Sequence, residues 1–325
     1  MRTIEITRPG GPEVLTLAQA PIPEPKANEI LIKVAAAGVN RPDILQRQGK
    51  YPPPPGSSPL PGLEVAGTVA GIGDAVTHWQ PGDTVVALTN GGGYAEFVAV
   101  PSGQVLPLPQ SCTMIEGAAL PETLFTIQQT LIDRAQLESG QNVLIHGGAG
   151  GIGGAALQLA RLKGALPFAT VSTQEKADYA TSMGAEAVIL YPEQDFVGAI
   201  KGLTGGRGAD IIVDIVGGDY FERNLSALAP DGTIIQLAVA GGAKAQINLA
   251  SLLMKRATLF GSTLRSQPDN IKATIARHLH DQVWPAIENG AFTKPRIRTF
   301  ALEDARKAHA AMEVPRHSGK IVLCL

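Results

Sequence analysis

The stretch Asn142–Ala160, NVLIHGGAGGIGGAALQLA, decides how the rest of the chain is read. Val143, Leu144 and Ile145 form a short apolar run of the kind buried in a parallel sheet, and it stops at glycine. Beyond the glycines, Ile152, Ala155, Ala156, Leu159 and Ala160 recur at helical spacing and so share one helix face. Strand, tight turn and helix are therefore predicted in that order. The turn carries Gly148-x-Gly150-x-x-Gly153. A side chain at these places would block the turn, keep the backbone away from a pyrophosphate, or hold the helix off the sheet. The helix start offers free N–H groups and the positive end of its dipole to phosphate. A glycine string alone is a weak signal, because ordinary tight turns share it; the flanking strand and helix make this one a dinucleotide-binding turn.

Outward from that turn, strands are expected at 143–146, 167–171, 187–190, 210–215, 233–238 and 258–262, with helices between them. Such an alternation is a doubly wound sheet with six parallel strands, and it is assigned to residues 123–263. Gly184, Gly205-Gly206 and Pro230-Asp231-Gly232 are read as helix stops. Residues 1–122 follow a different rhythm, in which short β-type runs (TIEIT, EILIKVAAAGV, EVAGTVAGIG, DTVVAL, AEFVAV) alternate with Gly/Pro turns, as in a barrel or sandwich. Between Asn40 and Pro61 a short helical piece leads into four consecutive prolines, which cannot pair in a sheet and are expected in a surface loop near an opening. After 263 come a long helical segment, a strand near 296–300, the helix LEDARKAHAAM and a strand KIVLCL. That tail, 264–325, is expected to complete the first domain.

With 27 Lys and Arg against 29 Asp and Glu, the formal charge of -2 implies no broad attraction to nucleic acid or an anionic membrane. The first twenty residues have no continuous apolar core, and no apolar run is long enough to span a bilayer, so a cytoplasmic protein is expected. Cys112 and Cys324 are too few for a disulfide framework or a four-cysteine zinc site. The six histidines show no metal-ligand spacing, and His146, ending the strand before the glycines, is expected to be packed.

An NAD-type site places a carboxylate about 20 residues beyond the glycines, at the end of the second strand. Here that place reads Thr170-Val171-Ser172-Thr173, with Lys176 shortly after. Hydroxyls and a cation suit a 2′-phosphate that a carboxylate would repel, although Glu175 lies close by. NADPH is the expected cofactor.

Five segments carry a family resemblance: GVNRPDILQRQGKYPPPPG at 38–56, PGLEVAGTV at 61–69, GGGYAEFV at 91–98, LIHGGAGGIG at 144–153 and GKIVL at 319–323. Over nearly its full length the chain resembles the zinc-independent quinone oxidoreductases of the medium-chain dehydrogenase/reductase superfamily, with the 40–56 stretch nearest to the p53-inducible branch. The resemblance implies a GroES-like β-rich catalytic domain, a Rossmann domain, NADPH, a quinone-like small-molecule substrate and a homodimer. Zinc-dependent relatives carry cysteine and histidine ligands in segments corresponding to 38–43 and 62–64, where this chain has Val39-Asn40 and Leu63-Glu64; no metal is expected.

Carried over residue by residue, the resemblance puts Asn40, Tyr51 and Thr126 near the nicotinamide. It puts Ala149, Gly150, Gly151, Ile152 and Gly153 at the pyrophosphate, and Ser172, Lys176 and Tyr191 around the 2′-phosphate. Gly217, Ala238, Phe260, Ser262 and Leu264 would line the cofactor from the later strands. Plainer roles compete: Asn40 as a helix cap before Arg41-Pro42, Tyr51 packed on the prolines, Thr126 bonded to its own helix backbone, and Tyr191 as a strand-end aromatic. An enone C=C reductase, or a nucleotide-binding crystallin-like protein with little turnover, would use the same parts.

Overall fold

A computed structural model describes residues 1–314 and 317–325. The opening strands are β1 (Arg2–Ile6), β2 (Leu15–Gln19), β3 (Glu29–Val39), β4 (Glu64–Ile72), β5 (Thr84–Leu88), β6 (Phe97–Pro101) and β7 (Val105–Pro107), with helix α1 (Arg41–Arg47) between β3 and β4. Helices α2 (Met114–Gly117) and α3 (Pro121–Ile127) follow, the second running into a π-helix over Gln128–Arg134. A regular alternation comes next: β8 (Asn142–His146), α4 (Gly151–Leu162), β9 (Leu166–Val171), α5 (Gln174–Ser182), β10 (Ala187–Leu190) and α6 (Phe196–Leu203). It continues through β11 (Ala209–Asp214), α7 (Tyr220–Ala227), β12 (Leu228–Gln236), α8 (Leu249–Lys255) and β13 (Thr258–Gly261). The last elements are α9 (Asp269–Gln282), α10 (Trp284–Glu288), β14 (Ile297–Ala301), α11 (Ala305–Glu313) and β15 (Lys320–Cys324).

The chain divides into two compact units, Met1–Phe125 with Arg265–Leu325, and Thr126–Leu264. In the second unit six strands lie in the order β10-β9-β8-β11-β12-β13, and every pair is parallel. This is the doubly wound sheet that the alternation predicted. Its central strands are buried on both faces, which is why β8 and β11 read as continuous apolar runs rather than alternating ones. Leu144, Phe168, Ile212 and Ile234 from four adjacent strands meet Phe196 and Leu225 from the covering helices in one core.

The first unit is built on β3, whose eleven residues pair antiparallel with β4, β6 and β15. Ile321 and Leu323 of β15 lie opposite Val39 and Ala37, so the tail does return to this sheet. β14 extends it by pairing parallel with β15, and Ile32, Val65, Val85, Tyr94 and Ile321 share its core. The four prolines lie in an irregular segment outside the strands, Pro52 and Pro55 being exposed.

Three readings need correction. Pro230-Asp231-Gly232 does not stop a helix: α7 ends at Ala227 as Leu228 turns extended, and the tripeptide lies inside β12. There Asp231 takes φ 63° and the register against β11 shifts, so the turn chemistry makes a bulge rather than a stop. The short strands β2 and β7 were not expected; both are too brief to show a period. The long helix after 263 is two helices, α9 and α10, that meet at Val283.

Candidate active site

In the second unit, the glycine loop runs from the end of β8 to the start of α4. Gly147, at φ 73°, makes the turn. The three glycines of the motif have different surroundings. A Cβ on Gly153 would sit 2.3 Å from the Gly147 carbonyl oxygen and 2.6 Å from the Gly148 Cα, so Gly153 lets the helix approach the strand end. One on Gly148 would lie 2.5 Å from the Ala169 Cβ on β9. On Gly150, by contrast, the nearest heavy atom is 3.5 Å away and the backbone is extended at φ -83°, ψ 174°. Nothing within the chain excludes a side chain at Gly150. Gly150 caps α4 without a side chain, and the first-turn N–H groups of Gly151, Ile152 and Gly153 have no place in the intrahelical ladder. Ala149, in the loop itself, is buried.

At the ends of β9 and β10, Lys176 Nζ lies 3.2 Å from Ser172 Oγ, and the Tyr191 N–H donates to the Val171 carbonyl. These three residues are thus neighbours at one edge of the sheet, and the Tyr191 side chain is exposed. The other two hydroxyls of the segment are engaged elsewhere. Thr173 caps α5, accepting from the Lys176 N–H. Thr170 is turned inward, and its hydroxyl meets His146 Nδ1 at 3.0 Å. Of the expected hydroxyl set, only Ser172 stands beside the lysine.

His146 is packed, as expected. Asn224 Nδ2 donates to Asp214 Oδ2 (3.0 Å), which turns Asn224 Oδ1 toward His146 Nε2 at 2.8 Å. Nε2 therefore carries the hydrogen, and Nδ1 accepts from Thr170. Burial holds this imidazole below its usual pKa, which favours the neutral ring the pattern needs. Asp214 also accepts from the N–H groups of Val216 and Gly217. One buried chain of hydrogen bonds thereby ties the loops after β8, β9 and β11. Gly217, at φ 69°, bridges to Gly242, and the Ala238 carbonyl accepts from Gln236 Nε2. Further along, Phe260 lies 4.0 Å beneath the Arg134 guanidinium, Ser262 Oγ donates to Gln129 Oε1, and Leu264 is buried. The carbonyl of half-buried Thr126 accepts from the Thr130 hydroxyl; it is Thr130, not Thr126, that bonds back to the helix.

The first unit holds a buried polar cluster that the motif reading did not anticipate. Asn40 is the N-cap of α1, but its side chain serves elsewhere: Nδ2 donates to Glu64 Oε1 (2.8 Å) and Oδ1 accepts from Lys320 Nζ (2.6 Å). Lys320 Nζ also meets Glu64 Oε1 at 2.5 Å, with both side chains out of solvent. Glu64 Oε2 accepts the Glu122 N–H at 2.9 Å, fixing the start of α3 against β4. Asp43, at the third helical position, supplies the reciprocal arm of a capping box: its Oδ2 accepts the Asn40 N–H, and its Oδ1 accepts the Gly62 N–H. Desolvation pushes the Asp43 carboxyl up to about 6 and that of Glu122 up to about 7. Tyr51 is half-buried beneath Arg265, whose guanidinium carbon is 5.8 Å from the ring centroid. Arg265 in turn is held by the Asn90 carbonyl and Gln46 Oε1. A signal for this cluster did exist in the sequence: Glu64 and Lys320 interrupt or open apolar strand runs, and a charge in a core strand requires a partner.

A β-rich unit completed by the chain's tail, together with a doubly wound unit carrying a glycine loop, defines a nucleotide-dependent oxidoreductase of the medium-chain type. The family described as "Alcohol dehydrogenase GroES-like domain" matches residues 26–110, and that described as "Zinc-binding dehydrogenase" matches 151–279. The chain is 32% identical over 324 residues to a quinone oxidoreductase of Rattus norvegicus, covering 99% of this chain and 96% of that protein. Among solved structures, Escherichia coli quinone oxidoreductase complexed with NADPH superposes with TM-score 0.88 at 30% identity, over all of both chains. The CurK enoyl reductase superposes with TM-score 0.86 at 27% identity, over 99% of this chain and 98% of that one. The chain belongs to the medium-chain dehydrogenase/reductase superfamily, among the relatives of the quinone oxidoreductases.

Proposed function

We propose that this protein moves reducing equivalents from NADPH to a quinone or a similarly electron-poor conjugated carbonyl, without a metal. The observation that carries the reading is Gly150: it has room for a side chain and none is present, directly before the free N–H groups of α4. That vacancy fits a pyrophosphate on a helix N-terminus. Ala149 to Gly153 would hold the pyrophosphate, and Gly217, Ala238, Phe260, Ser262 and Leu264 would flank the dinucleotide. Ser172, Lys176 and Tyr191 would take the 2′-phosphate. NADPH supplies the hydride when bound; Asn40, Tyr51 and Thr126 orient the nicotinamide and the acceptor, the remaining Nδ2 hydrogen of Asn40 and the Tyr51 hydroxyl donating to the acceptor's oxygen.

The residues of the first unit do not suit zinc. At Asn40 and Glu64, where zinc-dependent relatives carry ligand segments, the Lys320 ammonium is already in place, and no group of three His, Cys, Asp or Glu able to hold a metal occurs among the described residues. With no Lewis acid to polarise a simple ketone, acceptors activated by conjugation are favoured. The likeness to an enoyl reductase supports a second reading, reduction of the C=C bond of an enone. NADPH absorbance followed with a panel of quinones, enones and simple ketones separates these: quinone turnover supports the first reading, turnover of enones alone the second. Tight NADPH binding with no turnover makes the protein a binder.

The choice of dinucleotide is tested at Lys176. A charge-assisted hydrogen bond contributes about 1.5–3 kcal/mol, which is roughly ten- to hundredfold in affinity. Lys176→Ala is expected to weaken NADPH by that factor and leave NADH nearly unchanged. Equal losses for the two cofactors, or a wild type that prefers NADH, refute the assignment. We also propose a homodimer joined at β13, an edge strand of the second unit. Leu259 on that strand is exposed, as are Leu249, Leu253 and Met254 of the preceding α8.

A further inference from the structure

Three carboxyl groups are buried together in the first unit, and the hydrogen bonds around them are unequal. Asp43 accepts from the N–H groups of Gly62 and Asn40 and from the Tyr94 hydroxyl (3.4 Å). Glu64 accepts from Asn40 Nδ2, Lys320 Nζ and the Glu122 N–H. Both are held as acceptors by several donors. Among the described residues no hydrogen bond reaches the Glu122 carboxyl, although its own N–H is fixed on Glu64. Glu122 retains 9% exposure, whereas Asp43 and Glu64 have none, so it is the least enclosed residue of the three. Its charge also acts on the Tyr51 phenol, so the two side chains are in electrostatic reach of each other.

We propose that Glu122 is a catalytic acid: its carboxyl donates the proton taken up by the acceptor's oxygen once hydride has arrived. The assignment rests on the oxidoreductase reading above. In the step, NADPH loses a hydride and becomes NADP+, and the conjugated acceptor gains the electron pair and becomes an oxyanion. The O–H bond of Glu122 breaks as the new O–H bond forms, and water reprotonates the carboxylate. Glu122 is equipped for this because desolvation, with the charges of Glu64 and Asp43 adding to it, raises its carboxyl to about 7; Lys320 opposes them. A carboxyl of ordinary pKa would be ionised near neutrality and unable to donate. The oxygens of the other two buried carboxyls are already engaged by hydrogen-bond donors.

The experiment is the pH dependence of kcat for NADPH oxidation by a reducible quinone, with the NADPH dissociation constant measured separately. The acid form is the active one, so wild-type kcat is expected to be full below about 7 and to fall as pH rises through that value. Glu122→Gln keeps the shape and removes the proton. It is expected to lower kcat on the order of hundredfold, to abolish the falling limb, and to leave NADPH affinity unchanged. Glu122→Asp restores part of kcat and keeps a falling limb at a displaced pH, and it serves the same test should the glutamine variant not fold. Asp43, raised to about 6, is present in all three proteins, so a limb that survives in Glu122→Gln belongs to it or to another group and overturns the proposal. A glutamine variant with wild-type kcat assigns the proton to water and does the same. Parallel losses of kcat and NADPH affinity make Glu122 structural and also overturn it. A wild type that binds NADPH and reduces no acceptor at any pH refutes the oxidoreductase reading itself, and this is seen before any variant is made.

Discussion

Gly150→Val is expected to give a folded protein that no longer binds NADPH. The position is extended at φ -83°, ψ 174°, which any residue adopts, and an added Cβ finds its nearest neighbour at 3.5 Å. Folding is therefore little affected; an N-cap valine in place of glycine costs about 1 kcal/mol. The branched side chain instead projects over the first turn of α4, where the free N–H groups would meet phosphate. Losing that seat should weaken NADPH about hundredfold or more, roughly 2.7 kcal/mol. Gly153→Val is the contrasting variant. Its Cβ would fall 2.3 Å from the Gly147 carbonyl oxygen, so the loop and helix must separate and thermal stability falls along with binding. Calorimetric titration of NADPH with a melting curve on the same samples distinguishes the two. An unchanged dissociation constant for folded Gly150→Val would remove the glycine loop from the binding argument.

Lys320→Met should produce the largest loss of stability. Lys320 and Glu64 are both withdrawn from water, with their side chains 3% and 0% exposed, and the ammonium also holds the Asn40 amide. Removing one member of a buried ion pair leaves the other charge without compensation, at about 3–5 kcal/mol. The carboxylate of Glu64 would keep only Asn40 and the Glu122 N–H. Replacing both partners in Glu64→Met/Lys320→Met removes the stranded charge, so the double variant is expected to be more stable than Lys320→Met alone. The midpoint of urea unfolding of the first unit, followed by a probe in that unit, reads the order. A single variant as stable as wild type would mean that the pair contributes nothing, and the charge argument against zinc would weaken with it.

These two experiments fall on different sides of what could be read from the chain. The sequence Asn142–Ala160 contains its own explanation: a run of buried β-branched and aliphatic residues, glycines for a tight turn, and helical spacing after them. Strand, loop and helix follow from interactions within about twenty residues, and the repeat of that rhythm defines the doubly wound sheet. The glycine loop was legible for the same reason. Where local signals were ambiguous, tertiary pairing prevailed. Pro230-Asp231-Gly232 has the chemistry of a stop, yet it lies as a bulge inside β12, between Leu228 and Thr233, which both pair with β11.

The polar site divides in the same way. That Thr170, Ser172 and Lys176 stand near one strand end is a matter of sequence spacing; that Thr170 turns inward to His146 while Ser172 meets Lys176 depends on which side of the sheet each side chain takes. Asn40 was recognised by the resemblance of its segment, but its partners were not, because Lys320 lies 280 residues away and Glu64 lies 24 away. Sequence alone determined the alternation of strands and helices in the second unit and the place of the glycine turn, since each is set by short-range periodicity and backbone sterics. Only the tertiary structure decided that Asn40, Glu64, Glu122 and Lys320 form one buried cluster, because a charged side chain shielded from water must find its partner wherever the fold brings one, and no local pattern records that choice.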